Sequence, residues 1–111
     1  MEAYAQSKLA ITMWTAYLAE QGVAPMIVAV NPGSLLASKM VREGFGTSGN
    51  DIGIGVDILK RASLSEEFAQ ASGRYFDNDA HQFSAPHPDA QDMKVAKQLV
   101  ESIKTILKQL T

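Results

Sequence analysis

Met26-Ile27-Val28-Ala29-Val30 is an unbroken apolar run, bounded behind by Pro25 and ahead by Asn31-Pro32-Gly33. Most of it is β-branched, which suits a pleated, buried surface. Its shortness and its Pro and Gly boundaries favour a strand over a helical segment. With no alternation of apolar and polar positions, it reads as a central strand covered on both faces, as in parallel sheets. Asn31-Pro32-Gly33 then turns the chain sharply. In open parallel sheets, ligands bind just past the carboxyl ends of the strands. Residues 33–39 therefore stand where a cofactor would lie.

Upstream, residues 3–20 follow helical spacing. Leu9, Ala10, Ile11, Met13, Trp14, Ala16, Tyr17 and Leu18 cover most of the circumference, leaving a thin polar strip at Lys8, Thr12 and Thr15. A helix apolar on nearly all sides is expected to be buried against two neighbours. Gly22 supplies a left-handed C-cap, and Pro25 confirms the break. A helix followed directly by a buried strand is half of an α/β unit. Tyr4 and Lys8, four residues apart, share one face of this helix. A free phenol keeps its proton up to about pH 10. A neighbouring ammonium favours the phenolate and makes such a tyrosine usable as a general acid–base.

Downstream, residues 34–50 carry no clean period and are rich in Gly and Ser; a loop with at most a short helix at 38–43 is expected. Asn50 or Asp51 caps a second helix running to about Ser63, with Ile52, Val56 and Leu59 as its apolar stripe. Ser65 caps a short helix whose first turn holds Glu66 and Glu67, and Gly73 ends it. Arg74-Tyr75-Phe76-Asp77 reads as a second short strand, and residues 78–88 as a loop. Asp89 or Asp92 caps a last helix, in which Ala96, Leu99, Ile103, Ile106 and Leu110 form one amphipathic face.

With 111 residues and 46% hydrophobic content, the chain has the size of one small globular domain. A net charge of −2 and a pI near 5.6 leave no basic footprint for nucleic acid or anionic membrane. The absence of cysteine excludes disulfides, thiol catalysis and cysteine-based zinc sites. No apolar window approaches the length that spans a bilayer, and residues 1–8 do not read as a secretory signal. The reading is a soluble cytoplasmic protein.

Tyr4-Ala5-Gln6-Ser7-Lys8, the strand ending at Val30, Asn31-Pro32-Gly33 and the later Gly73-Arg74-Tyr75-Phe76-Asp77 follow one another here in the order and spacing of a known family. Together they resemble the short-chain dehydrogenase/reductase family over essentially the whole chain. The resemblance implies an α/β fold, the C-terminal portion of a Rossmann-like doubly wound domain, with residues 1–111 as a single partial domain. It implies hydride transfer between NAD or NADP and an alcohol or carbonyl substrate. Tyr4 would exchange a proton with the substrate oxygen, and Lys8 would hold the nicotinamide ribose. Pro32, Gly33, Ser34 and Leu35 would border the nicotinamide ring, and Ser38 would meet its carboxamide.

In that family the cofactor half lies upstream of the tyrosine. The Gly-rich turn after the first strand, the selector for NAD or NADP, the helix asparagine and the catalytic serine have no counterpart in these residues. The resemblance is thus to a C-terminal half, whether a truncated product, a split reading frame or a fragment. Two classes of function follow. One is the acid–base half of an oxidoreductase, inactive by itself. The other is a non-catalytic half-domain that associates with itself or with a partner, and the first helix is the expected contact of a homo-oligomer.

Other signals are weaker. Gly44-Phe45-Gly46-Thr47-Ser48-Gly49 matches a dinucleotide fingerprint, but the charged segment before it lacks the strand that such glycines must follow. His81, His87, Asp77 and Asp79 lack ligand spacing and read as a solvated loop, not a metal site. Trp14 and Tyr17 read as packing residues, and Lys97, Lys104 and Lys108 as a solvated face.

Overall fold

Phe76 has backbone partners on both sides: Val30 in parallel register and Phe83 in antiparallel register. The computed structural model describes residues 2–22, 26–34, 36 and 49–111. In chain order these form helix α1 (Glu2–Gln21), strand β1 (Ala29–Asn31), helix α2 (Ile52–Leu64) and a 3-10 turn (Glu66–Phe68). Strands β2 (Tyr75–Asp77) and β3 (Gln82–Ser84) follow, then helices α3 (Pro88–Gln91) and α4 (Met93–Leu110). The result is an α/β fold with a mixed three-stranded sheet in the order β1-β2-β3. No helix among the described residues is long and apolar enough to cross a membrane.

The strand expected at the centre of the sheet lies beside it. β1 is shorter than the apolar run and shifted toward Asn31, and β2 takes the middle. The segment before β1 still bonds to the lead-in of β2: Gly73 N donates to Ile27 O at 2.7 Å and Ala29 N donates to Arg74 O at 3.1 Å. β2 becomes central because the chain reverses after Asp77. Ala80 N donates to Asp77 O at 3.2 Å, and His81 takes a φ of 56°, in the left-handed region. The segment at 78–88, expected as a loop, therefore contains β3 and ends where α3 begins.

α1 stops where expected, with Gly22 at φ 65° and its N–H donating to Ala19 O. Its cover is confined to the later turns, where every position from 9 to 19 except Ile11 is buried or half-buried. Met13 and Tyr17 are buried, and Leu9 packs on the cluster formed by Met13, Ala90 and Ala96, but Ile11 is 57% exposed and residues 2–8 are all exposed. Among the described residues its neighbours are α4, α3 and, more lightly, β1.

Asp51 caps α2, its Oδ1 accepting from Gly53 N at 2.9 Å. The buried face is not the expected stripe. Ile52, Val56 and Leu59 are exposed, whereas Gly55 and Ile58 are buried. Packing through Gly55 accounts for the rotation: a Cβ there would lie 2.6 Å from Leu36 Cδ1 and 3.6 Å from Pro32 Cβ, so any larger residue would require the Leu36 side chain to shift. Ser65 caps the 3-10 turn through Glu67 N. Asp92, rather than Asp89, caps α4 by accepting from Lys94 N and Val95 N, while His87 Nδ1 caps α3. On α4 the buried positions are Ala96 and Val100, and Ile106 and Leu110 run out into solvent. Lys104 is more than a solvated charge, since its Nζ stands 5.6 Å from the ring centre of Tyr17.

The main core lies on one face of the sheet, where Ile58, Phe68, Ala71 and Phe76 pack with Val28, Val30 and Phe83. Three phenylalanine rings meet there, with centroids 5.2 Å apart for Phe68–Phe76 and Phe68–Phe83 and 5.0 Å for the edge-on Phe76–Phe83 pair. Arg74 covers the outside, its guanidinium 4.0 Å from the Phe83 ring centre. Phe76→Ala removes the ring on which the other two lean and should destabilise the chain by about 3–5 kcal/mol. Urea unfolding followed by Trp14 fluorescence measures it. A loss under about 1 kcal/mol would mean that this cluster is not the organising core.

Candidate functional site

α1 runs against the direction of β2. Its end meets the lead-in to β2, where a Cβ at Gly73 would lie 3.1 Å from Ala19 Cβ, and further back Lys8 and Thr12 border a cleft together with Tyr75. The first turns of α1 thus lie toward the carboxyl ends of the parallel strands. Tyr4 and Lys8 stand there, both exposed, with Lys8 Nζ 5.4 Å from the centre of the Tyr4 ring. Helical spacing brings the ammonium over the phenol face, as the one-face argument requires.

Pro32, Gly33 and Ser34 stand at the same end of the sheet, just beyond β1. Asn31 Oδ1 accepts from Gly33 N at 3.1 Å, so the asparagine side chain closes the turn locally. Gly33 has a φ of 140° and a Cβ there would lie 3.1 Å from Leu36 Cδ2, so conformation and space both call for glycine. Leu35 and Ser38 lie outside the described residues, as do residues 37–48, which include most of the Gly44–Gly49 match, and Pro25.

Residues that the sequence reading left in a solvated loop hold this turn. Asn78 is buried, and its Nδ2 donates to Pro32 O at 2.9 Å and to Ile54 O at 3.4 Å, while its backbone N–H donates to Asn31 O. Asp79 accepts from Ser34 N at 2.9 Å, from the Ser34 hydroxyl, and from Asn31 Nδ2 at 3.0 Å. Asp77 Oδ1 accepts from Asn31 Nδ2 at 3.1 Å and from Asp79 N at 3.0 Å. Asn50 Nδ2 donates to Ser34 O at 3.0 Å. Both hydrogen-bond donors of Ser34 are therefore committed to Asp79. The one signal in the sequence was position: Asn78 and Asp79 follow a strand whose carboxyl end meets the Asn31-Pro32-Gly33 turn.

The electrostatics follow from these bonds. Asp79 is held below the usual carboxylate range, first by the Ser34 N–H, then by the Ser34 hydroxyl and the Asn31 amide. Tyr75 moves the opposite way: burial, then the negative charges of Asp77 and Asp79, keep its hydroxyl protonated above the usual phenol range.

The cleft, about 650 Å³, lies between α1 and the segment carrying Pro86, His87 and Asp89. Lys8 borders it, but Tyr4 and the turn at residues 31–34 do not. The cleft and the Tyr4–Lys8 pair share Lys8, and the turn at residues 31–34 is a separate feature whose donors and acceptors converge on a defined backbone. Among the described residues no group of three or more His, Asp or Glu side chains is placed to hold a metal ion.

The chain matches no protein-family model, no curated protein and no solved structure.

The lowered Asp79 carboxyl sets a sign for acid stability. A group whose folded pKa lies below its unfolded one contributes stability that is complete above the unfolded value and is lost as pH falls through the folded value. Chemical denaturation across the acid range should show this loss, and Asp79→Asn should flatten that part of the slope. An identical slope in the variant would remove Asp79 from the account.

Proposed function

We propose that this chain is the C-terminal half of an NAD- or NADP-dependent oxidoreductase of the short-chain dehydrogenase/reductase type, acting on a small alcohol or carbonyl compound. The observation that carries the reading is the Tyr4–Lys8 pair. It is exposed on the first turns of α1, with the ammonium over the phenol ring. An acid–base group and a backbone shelf at one sheet end are what a flat, hydride-carrying ring and an adjacent substrate oxygen require.

The residues present fit the nicotinamide part of such a cofactor. Gly33 brings bare backbone to the shelf, and the pair on α1 is open to whatever docks above it. When bound, the nicotinamide supplies or accepts the hydride. In the oxidation direction Tyr4 would take the hydroxyl proton of the alcohol. Lys8 would hold the ribose. Pro32, Gly33 and Ser34 would border the ring, and the resemblance assigns Leu35 to the same border and Ser38 to the carboxamide. The nucleotide-binding half belongs to the part of the family's Rossmann-like fold that precedes the tyrosine.

Co-expression with the N-terminal portion of a short-chain dehydrogenase tests this. NAD(P)-linked alcohol oxidation should appear, and Tyr4→Phe should reduce turnover about a hundred- to ten-thousand-fold while leaving the unfolding midpoint in place. Full activity in Tyr4→Phe would end the reading.

A second reading, a half-domain that acts by association, is favoured by the open side of α1, where Ile11 is 57% exposed. Exposed apolar surface on a helix is stabilised by a second partner. The isolated chain should therefore scatter light as an oligomer, with Ile11, Trp14 and Leu18 at the contact, and Ile11→Glu should lower the mass. A monodisperse monomer in the parent chain would exclude self-association.

A further inference from the structure

Around the turn at residues 31–34 the bonds run between segments far apart in sequence, and they converge on side chains with no role in the proposed proton transfer. Asp79 is bonded to Ser34 across 45 residues, and Asn78 to Pro32 across 46. One carboxylate thus meets three donors: the Ser34 amide, the Ser34 hydroxyl and the Asn31 side-chain amide. Such charge-assisted bonds are about twice as strong as neutral ones. A backbone turn held in this way keeps its shape when the side facing a ligand is open.

We propose that Asp79 is the positioning residue of the nicotinamide shelf, with Asn78 as its buried support. The inference rests on the oxidoreductase reading above. Asp79 touches neither cofactor nor substrate. It takes up the amide and the hydroxyl of Ser34, so the shelf presents backbone rather than Ser34 donors to the ring. Asn78 holds the Pro32 carbonyl and ties it to α2 through the Ile54 carbonyl. The charge of Asp79 is therefore coupled to the shape of the shelf. The groups that face it are Asp77 and Tyr75 on β2 and His81 in the turn to β3. Protonation of Asp79 removes the negative charge that strengthens its bonds to the Ser34 amide, the Ser34 hydroxyl and the Asn31 amide.

Asparagine at position 79 keeps one acceptor oxygen but presents an NH2 group to donors, so Asp79→Asn tests the charge and Asp79→Glu tests its restoration. In the full 111-residue chain, amide hydrogen exchange reports on Ser34 directly. Asp79→Asn should reduce Ser34 protection about ten- to a hundredfold, and Asp79→Glu should recover part of it. In the co-expressed enzyme, Asp79→Asn should raise the KM for NAD(P) by a similar factor and abolish the acid limb of cofactor affinity. A merely destabilised protein would instead lose kcat through its active fraction and keep the KM. Unchanged Ser34 protection in Asp79→Asn overturns the inference. So does an unchanged cofactor KM in an enzyme whose activity Tyr4→Phe abolishes, and in that case the oxidoreductase reading survives. If Tyr4→Phe changes nothing, that reading falls and takes the cofactor role of Asp79 with it, whatever the exchange data show.

Discussion

Phe76 is held by its backbone between Val30 and Phe83 and by its ring between Phe68 and Phe83, and most of the architecture follows from that double constraint. Because β2 pairs on both edges, its side chains must alternate between two covered faces. Phe76 turns toward Ile58 and the 3-10 turn, while Tyr75 turns toward α1. The helices are thereby sorted into two layers: α2 lies over the aromatic cluster, and α1, α3 and α4 gather around Met13, Ala90 and Ala96.

The same pairing delivers Asn78 and Asp79 to the turn beyond β1. A parallel pair in register brings both carboxyl ends to one edge, so the residues after Asp77 emerge beside those after Asn31. The polar network there is well satisfied: no buried side-chain nitrogen or oxygen among the described residues lacks a partner. Its density contrasts with the aromatic side of the sheet, where packing alone carries the load. Apolar burial fixes the sheet, and a small set of charged and amide hydrogen bonds fixes the one turn that the proposed chemistry uses.

α1 presents the converse case. Its apolar residues cover most of the circumference, so the arrangement of α3, α4 and β1 decides which positions are covered. The side left open carries Tyr4, Lys8 and Ile11, an acid–base pair beside an apolar residue. On the oxidoreductase reading this is the side that would meet the rest of the domain, and on the association reading it meets another copy.

Features set by neighbours in sequence were legible without a structure: the span of α1, its stop at Gly22, the caps at Asp51 and Ser65, β2, and the spacing of Tyr4 to Lys8 and of Asn31 to Gly33. Each depends on backbone preferences or on bonds a few residues long. Tertiary structure decided what depends on distant partners. The middle strand is β2 and not the apolar run at 26–30, because β3 folds back against it. The buried face of α2 is Gly55 and Ile58 rather than Ile52, Val56 and Leu59, because a glycine lets the helix approach Pro32 and Leu36. Asn78 and Asp79 look like loop residues in the sequence, since no local pattern marks an acceptor whose donors lie 45 residues away. Only the parallel pairing of β1 with β2 closes that distance.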